Sequence, residues 1–335
     1  MKRTFNITYV AAAVLLSSCA EWTTPEAIPF KVNTIEDTNP ELYVQYQEAI
    51  KAYKSSEHRV SYVAFDNIYD IPTNAATRLT ALPDSIDFVE LTNPGTVNDW
   101  TAADLEDLRL KFGTRFVLRI SYNAATETAR ARYGEDYFDH VPEYVDSLLN
   151  VATKGGFDGI TVEYEGMGTL HAFPEELELL NSQEAQLFPR VKEWLNANSG
   201  KLLFFEGNPQ HTIDHSLVLA ADHVILPTAD MKSAQKAGYC AVQAVEYEEN
   251  GVEIFKDIKI IFAARAIPND ITDTSTGRYF EGPAVELITK WIMYEAPENC
   301  SKAGIAIYNV QNDCLKSTSF YPNVKQAIKI LNPNS

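Results

Sequence analysis

Eight short runs of apolar, β-branched and aromatic residues, separated by stretches of helical periodicity, constrain this chain more than any other feature. They are VSYVAF (60–65), IDFVEL (86–91), RFVLRIS (115–121), FDGITVEY (157–164), KLLFFE (201–206), HVILPT (223–228), IKIIFAA (258–264) and AGIAIYN (303–309). Their starts lie roughly 35 residues apart, the length of one strand–helix unit. Runs apolar on both faces, with helices between them, require a parallel sheet covered by helices. Eight units fit an α/β fold of the (β/α)8 TIM-barrel type, in one domain, better than a doubly wound sheet. No GxGxxG or Walker-type loop follows any run. Helices are predicted over 41–54, opened by Asn39 and Pro40, and over 100–112, ended by Gly113. Others are predicted over 141–154, with Pro142 in its first turn, over 283–296, and over 321–331. The barrel is therefore expected to span 39–331.

The start of the chain sets the compartment. Lys2 and Arg3 precede an apolar stretch from Val10 to Leu16, far too short to span a bilayer, and Leu16-Ser17-Ser18-Cys19 follows. That pattern is a secretory signal and resembles the bacterial lipobox, in which the cysteine is lipidated and becomes the first mature residue. An ordinary cleaved signal that contains a cysteine is the alternative. On the lipobox reading 1–18 is the signal peptide and 19–38 a lipidated tether. Glu21, just after Cys19, resembles surface-export signals of Bacteroidetes-type lipoproteins, which implies a lipid anchor in the outer membrane, at the cell surface. Lys and Arg number 28 against 46 Asp and Glu, a net charge of −18. Such a chain repels phosphate backbones, so no nucleic-acid partner is expected, and neutral or cationic ligands remain. Of the later cysteines, Cys300 and Cys314 could form a bridge and Cys240 reads as a buried thiol. No CxxC or Cys/His pair has metal-finger spacing.

In such a barrel the ligand site is made from strand C-termini and the residues just beyond them. These positions collect Asp66, Asn67, Thr92, Asn93, Tyr122, Asn123, Glu206, Asn208, Thr228, Asp230, Arg265, Tyr308, Asn309 and Gln311. Amides, carboxylates and tyrosines on one rim suit sugar hydroxyls and sugar faces. The fourth run is the most informative. In GFDGITVEYEGMG (156–168), Thr161, Glu163 and Glu165 alternate, so all three point to one side of the strand. Neighbouring inward carboxylates are costly to bury, and their repulsion raises one pKa, as a general acid requires.

This segment resembles the D-G-x-D-x-D-x-E signature of glycoside hydrolase family 18, the chitinases and endo-β-N-acetylglucosaminidases. Asp158-Gly159-Ile160 match its opening, and Glu165 stands at the catalytic acid. Thr161 and Glu163 replace the two inner aspartates. The resemblance implies a (β/α)8 barrel acting on GlcNAc-containing glycans, N-glycan or chitooligosaccharide, with no cofactor and no metal. It makes Glu165, Glu163 and Asp158 the catalytic set. It implies substrate-assisted hydrolysis, in which the N-acetyl oxygen attacks the anomeric carbon while the acid protonates the leaving oxygen. With the lipoprotein pattern it also implies glycan-uptake partner proteins. The departures fall on the chemistry. Glu163 is one methylene longer than the family's Asp, Thr161 cannot share a proton with it, and the sixth run has no Tyr to orient the acetamido group. Tyr308 stands where the family has a Trp floor. These changes predict a glycan-binding protein with hydrolysis impaired or lost; an active endo-β-N-acetylglucosaminidase with Glu165 as acid is the alternative. Two metal readings are weaker: His211 with His215 for zinc, and Glu163, Glu206 and Asp230 for magnesium.

Overall fold

The computed structural model describes residues 34–93, 95, 97–296, 299–316 and 319–333. The expected signal peptide and Cys19 lie outside the described residues. The chain divides into two units, residues 1–46 and 47–335. Within the first, the helical turn Ile35–Thr38 is closed by reciprocal capping between Thr34 and Asp37.

The second unit holds eight parallel strands in a closed barrel: β1 (Val60–Phe65), β2 (Phe88–Leu91), β3 (Arg115–Ser121), β4 (Gly159–Glu163), β5 (Leu202–Glu206), β6 (His223–Leu226), β7 (Lys259–Arg265) and β8 (Ser301–Tyr308). Each strand pairs with the next in chain order, and β8 closes on β1 with Tyr62 opposite Ala306. All eight predicted runs become strands. The helices around them include α1 (Asp99–Phe112), α2 (Tyr122–Tyr133), α3 (Val141–Lys154), α4 (Pro174–Ala197), α5 (Ala234–Val245), α6 (Ala284–Tyr294) and α7 (Pro322–Leu331). Helices α2, α4 and α5 had no counterpart among the predicted spans. Helix α4 buries Leu180, Leu187, Val191 and Trp194 on a helical period, although Pro189 inside it removes one backbone donor.

The strand period of two decides what fills the barrel. Val60, Tyr62, Phe88, Val117, Phe204, Ile225, Ile261 and Ala306 point inward and form an apolar floor. Phe204 is its centre, with ring centroids 4.9 Å from Phe88 and 5.3 Å from Tyr62. Burying each such aromatic contributes about 1.5–3 kcal/mol. Two residues further along the same strands come Glu90, Arg119 and Glu206, so a charged layer lies on the aromatic one. Cys300 and Cys314 are both buried and are not bridged to each other, and Cys240 is half-buried. Among the described residues no helix is long and apolar enough to cross a membrane.

Candidate functional site

The charged layer is organised by Arg119. Its Nε donates to Glu90 Oε1 at 3.0 Å, its Nη2 donates to Glu206 Oε2, and its Nη1 lies 3.7 Å from Glu163 Oε2. Glu90 is fully buried and Glu206 nearly so. Burial pushes the Glu90 carboxyl upward while Arg119 opposes it. Burial likewise pushes Glu206 up to about 7; Arg119 draws it down, and Glu90 and Glu163 add to the rise. The Arg119 guanidinium, disfavoured by burial, is held charged by Glu90 and Glu206. Below it the Tyr62 hydroxyl and Thr161 Oγ1 share a hydrogen bond of 2.8 Å. Glu90 Oε2 and the buried Tyr308 hydroxyl make no well-formed hydrogen bond, although Tyr62 stands beside Glu90 and Tyr308 beside Glu206. Neither Arg119 nor Glu90 stood among the sequence candidates. The signal was present: each is a charge at an inward position near the C-terminal end of an apolar run.

Above this layer opens a cleft of about 470 Å3 lined by Asp66, Thr92, Asn93, Arg119, Glu163, Arg265, Tyr308 and Asn309, among others. The C-terminal ends of six strands meet there, as the barrel rule requires. Arg265 is clamped by Asp230, with Nε to Oδ1 at 2.7 Å and Nη2 to Oδ2 at 2.8 Å, and its Nη1 donates to Asn309 Oδ1 at 3.1 Å. The Tyr308 ring lies between two cations, 5.6 Å from the Arg119 guanidinium and 5.9 Å from that of Arg265. Asn309 adopts a left-handed backbone, φ 52°, which only a tightly held non-glycine residue tolerates. Asn93 donates from Nδ2 to Asp66 Oδ1 at 2.6 Å.

The β4 edge behaves as its alternation predicts. Thr161 is buried, Glu163 half-buried and Glu165 exposed on the rim, where Asn123 Nδ2 donates to its Oε2 at 3.3 Å. Tyr164, between the two glutamates, points the other way and packs edge-on against Tyr122 and Phe188, at 5.6 and 5.3 Å. Behind Glu165 the loop is pinned to the β5 exit. Gly166 has φ 57°, and a Cβ there would sit 2.2 Å from the His211 carbonyl; a Cβ on Gly207 would sit 2.2 Å from that of Tyr164. Met167 N donates to the same His211 carbonyl at 3.2 Å. Glu184 of α4 holds this β5 loop from outside, accepting from the backbone of Ile213 and Asp214 at 2.8 Å each.

The structure thus brings Asn93, Glu163, Arg265, Tyr308 and Asn309 into one cleft, with Asp230, Glu206, Asn123 and Glu165 bordering it. Other expectations are corrected. Asp158 precedes β4, at the opposite end of the barrel, where its Oδ2 accepts from Phe116 N at 2.8 Å and Arg109 Nη2 at 3.0 Å. Its role there is to fix the strand's start. Tyr122 is buried, its hydroxyl donating to Gln186 at 2.8 Å. Ser121 caps α2, accepting from Ala124 N, so the helix begins at once and turns Tyr122 away from the mouth. Asn67 braces the rim, exchanging bonds of 2.7 and 2.9 Å with the Asn93 backbone. Asn208 is half-buried and opens the turn Pro209–His211, its carbonyl accepting from His211 N. Thr228 Oγ1 bridges the Ala263 backbone, at 2.8 Å to both its O and N, in place of a further ladder bond. Neither metal set assembles: Asp230 is engaged by Arg265, and His211 and His215 share no helix, His215 Nδ1 lying 3.0 Å from Thr212 Oγ1. Among the described residues no group of three His, Cys, Asp or Glu is placed to hold a metal.

Three comparisons bear on this geometry. The family model described as glycoside hydrolase family 18, BT1044-like, matches residues 23–330. Among solved structures, a glutamate-to-glutamine variant of BT1044 is 19% identical, with TM-score 0.58 over 90% of this chain and 96% of its own. Endo-β-N-acetylglucosaminidase from Cordyceps militaris is 16% identical, with TM-score 0.58 over 86% and 96%. A double variant of that enzyme, in complex with fucosyl-N-acetylglucosamine-Asn, gives TM-score 0.57 at 16% identity over 86% and 95%. At these identities the likeness is one of fold. No curated protein matches the chain.

Proposed function

The chain belongs to glycoside hydrolase family 18, in its BT1044-like group, and from that premise we propose that it recognises GlcNAc-containing glycans in the barrel mouth, with hydrolysis feeble or lost. One observation carries the reading. The side chains that substrate-assisted hydrolysis needs free are engaged by the protein itself. Glu163 faces Arg119 at 3.7 Å, and Thr161 is bonded to Tyr62. An acetamido N–H at Glu163 would share that carboxylate with a guanidinium that is already balancing Glu90 and Glu206. A misplacement of ~1 Å in such a group costs on the order of 100-fold in rate. Glu165 stands exposed on the rim, outside the buried charged layer.

What supports binding is the rest of the mouth. Asp66, Asn93, Asn309 and Glu163 offer planar polar edges to hydroxyls at a site recessed among six strands. One feature favours the active alternative: Asn123 Nδ2 donates to Glu165, two residues beyond Glu163 at the β4 exit. The test is calorimetry with chitooligosaccharides and N-glycopeptides, run beside mass spectrometry of released sugars. The proposal expects binding without turnover, and Glu165→Gln changing affinity only a few-fold. Turnover that Glu165→Gln lowers by roughly 100- to 10,000-fold would establish the active enzyme instead. We also propose that Cys19 carries the lipid that tethers the protein to the outer membrane at the cell surface, beside glycan-uptake partners; the lipobox pattern of residues 16–19 supports this.

A further inference from the structure

The charge and donor count of the barrel mouth do not match an acetamido group. We propose that the innermost sugar it takes carries a free amino group, a glucosamine unit within a partly de-N-acetylated glycan, with its ammonium against Glu163. The inference rests on the glycan reading above and specifies its ligand.

The first argument is charge. Arg119 is a single cation among Glu90, Glu163 and Glu206, so the layer holds two negative charges in excess when all are ionised. Arg265 cannot supply the balance, because Asp230 clamps it through both oxygens. Asp66 in the lining and Glu165 on the rim add to the excess. Facing these from β1 and β8 are only the hydroxyls of Tyr62 and Tyr308. Burial, with Glu90 and Glu163 adding to it, pushes Glu206 up to about 7, so the layer takes up a proton near neutrality. A bound cation would displace that proton.

The second argument is an orphaned atom. Glu90 has no exposure, and its Oε2 makes no well-formed hydrogen bond. A buried carboxylate oxygen left so is costly unless a positive charge completes the layer.

The third is the balance of donors and acceptors. An acetamido group needs a donor for its carbonyl. The Thr161 hydroxyl is engaged by Tyr62, Thr228 by the Ala263 backbone, Arg265 by Asp230 and Asn309, and Asn93 Nδ2 by Asp66, while the Tyr308 hydroxyl faces Glu206. The half-buried Glu163 carboxylate, 3.7 Å from Arg119, keeps an oxygen as acceptor. An ammonium, with three donors and no acceptor, is complementary to that surface.

The test is calorimetry at pH 6 and low salt with a β-1,4-linked glucosamine tetramer, the fully N-acetylated tetramer, an N-glycopeptide and spermidine. The amino tetramer should bind roughly tenfold or more tighter than the acetylated one. Its heat should vary with buffer ionisation enthalpy in the sense of proton release, and its affinity should fall with salt. Glu163→Gln should abolish the preference; Asp66→Asn, at the cleft edge, is the second variant should the first misfold. Equal or tighter binding of the acetylated tetramer overturns the inference and leaves the glycan reading standing. Spermidine binding as tightly as the amino tetramer also overturns it, because the surface would then attract any polycation. No binding of any sugar removes the glycan reading and this inference together.

Discussion

Replacing Arg119 with methionine tests whether the charged layer is held together as the geometry indicates. The substitution preserves most of the side-chain volume and removes the one cation shared by Glu90, Glu206 and Glu163. Two carboxylates that are at most 7% exposed would then lie uncompensated. Breaking a buried pair in this way costs about 3–5 kcal/mol, a large part of the roughly 5–15 kcal/mol that stabilises a typical protein. For domains of about 150–250 residues about 2–4 °C of Tm goes with each kcal/mol, so in this longer chain the midpoint should fall by no more than roughly 6–20 °C at pH 8. The sign of the pH dependence follows from the proton count. Burial raises the folded-state pKa of Glu206 above its ordinary value of 4.5, so the native state binds more protons than the unfolded one. Stability is therefore lost as pH rises from the ordinary value toward about 7 in the wild type. Without Arg119 that window extends further upward, and acidification should return part of the loss. Urea unfolding at pH 5 and pH 8 reads both effects, with Glu90→Gln/Glu206→Gln added to Arg119→Met as the neutral control. A deficit within about 0.5 kcal/mol of zero at pH 8, or one equally large at pH 5, would refute the reasoning.

Tyr122→Phe removes the bond to Gln186 and should cost about 1 kcal/mol in urea unfolding, with glycan affinity unchanged, because the hydroxyl points away from the mouth. Gly207→Ala should destabilise by more than about 1 kcal/mol and lower glycan affinity, because its methyl meets the Tyr164 carbonyl one residue from Glu165; calorimetry and thermal unfolding together check this. Cys19→Ala should release the protein from the membrane fraction or leave it unprocessed, and an unchanged distribution with unchanged gel mobility would sink the lipid proposal.

The barrel was legible because its signal is redundant: eight strands each repeat the same apolar run, and turn residues punctuate them. The helices that escaped prediction did so for local reasons. Pro189 interrupts the period of α4, and α2 begins with no intervening loop, directly on the Ser121 cap. That same cap explains Tyr122, which a strand-exit reading aims into the mouth and the helix turns away from it. The motif glutamates fell where a period of two puts them. Asp158 did not join them, because it stands before the strand, and the length of β4 separates it from the rim. Arg119 and Glu90 were hidden in plain view. Runs judged by overall hydrophobicity absorb one charge without comment, whereas reading each inward position separately exposes it. Which acceptors are already engaged, as Asp230 is by Arg265, depends on contacts between β6 and β7 exits that no single run encodes.

The interlocked glycines behind Glu165 also say where this mouth can be re-tailored. Segments 164–168 and 207–212 share a seam with no room for one extra carbon, so an insertion in either would have to rebuild both. Variation in the glycans such barrels grasp therefore has to be sought on the other lips, after β1 and after β7. There, Ile68, Ile71 and Ile271 stand exposed on long connections, the second of which is pinned at its far end, where a Cβ on Gly277 would sit 2.7 Å from the Arg265 carbonyl oxygen. A library diversified over 68–73 and 268–276 could alter reach and branching preference while the β4 lip keeps Glu163 and Glu165 where they are.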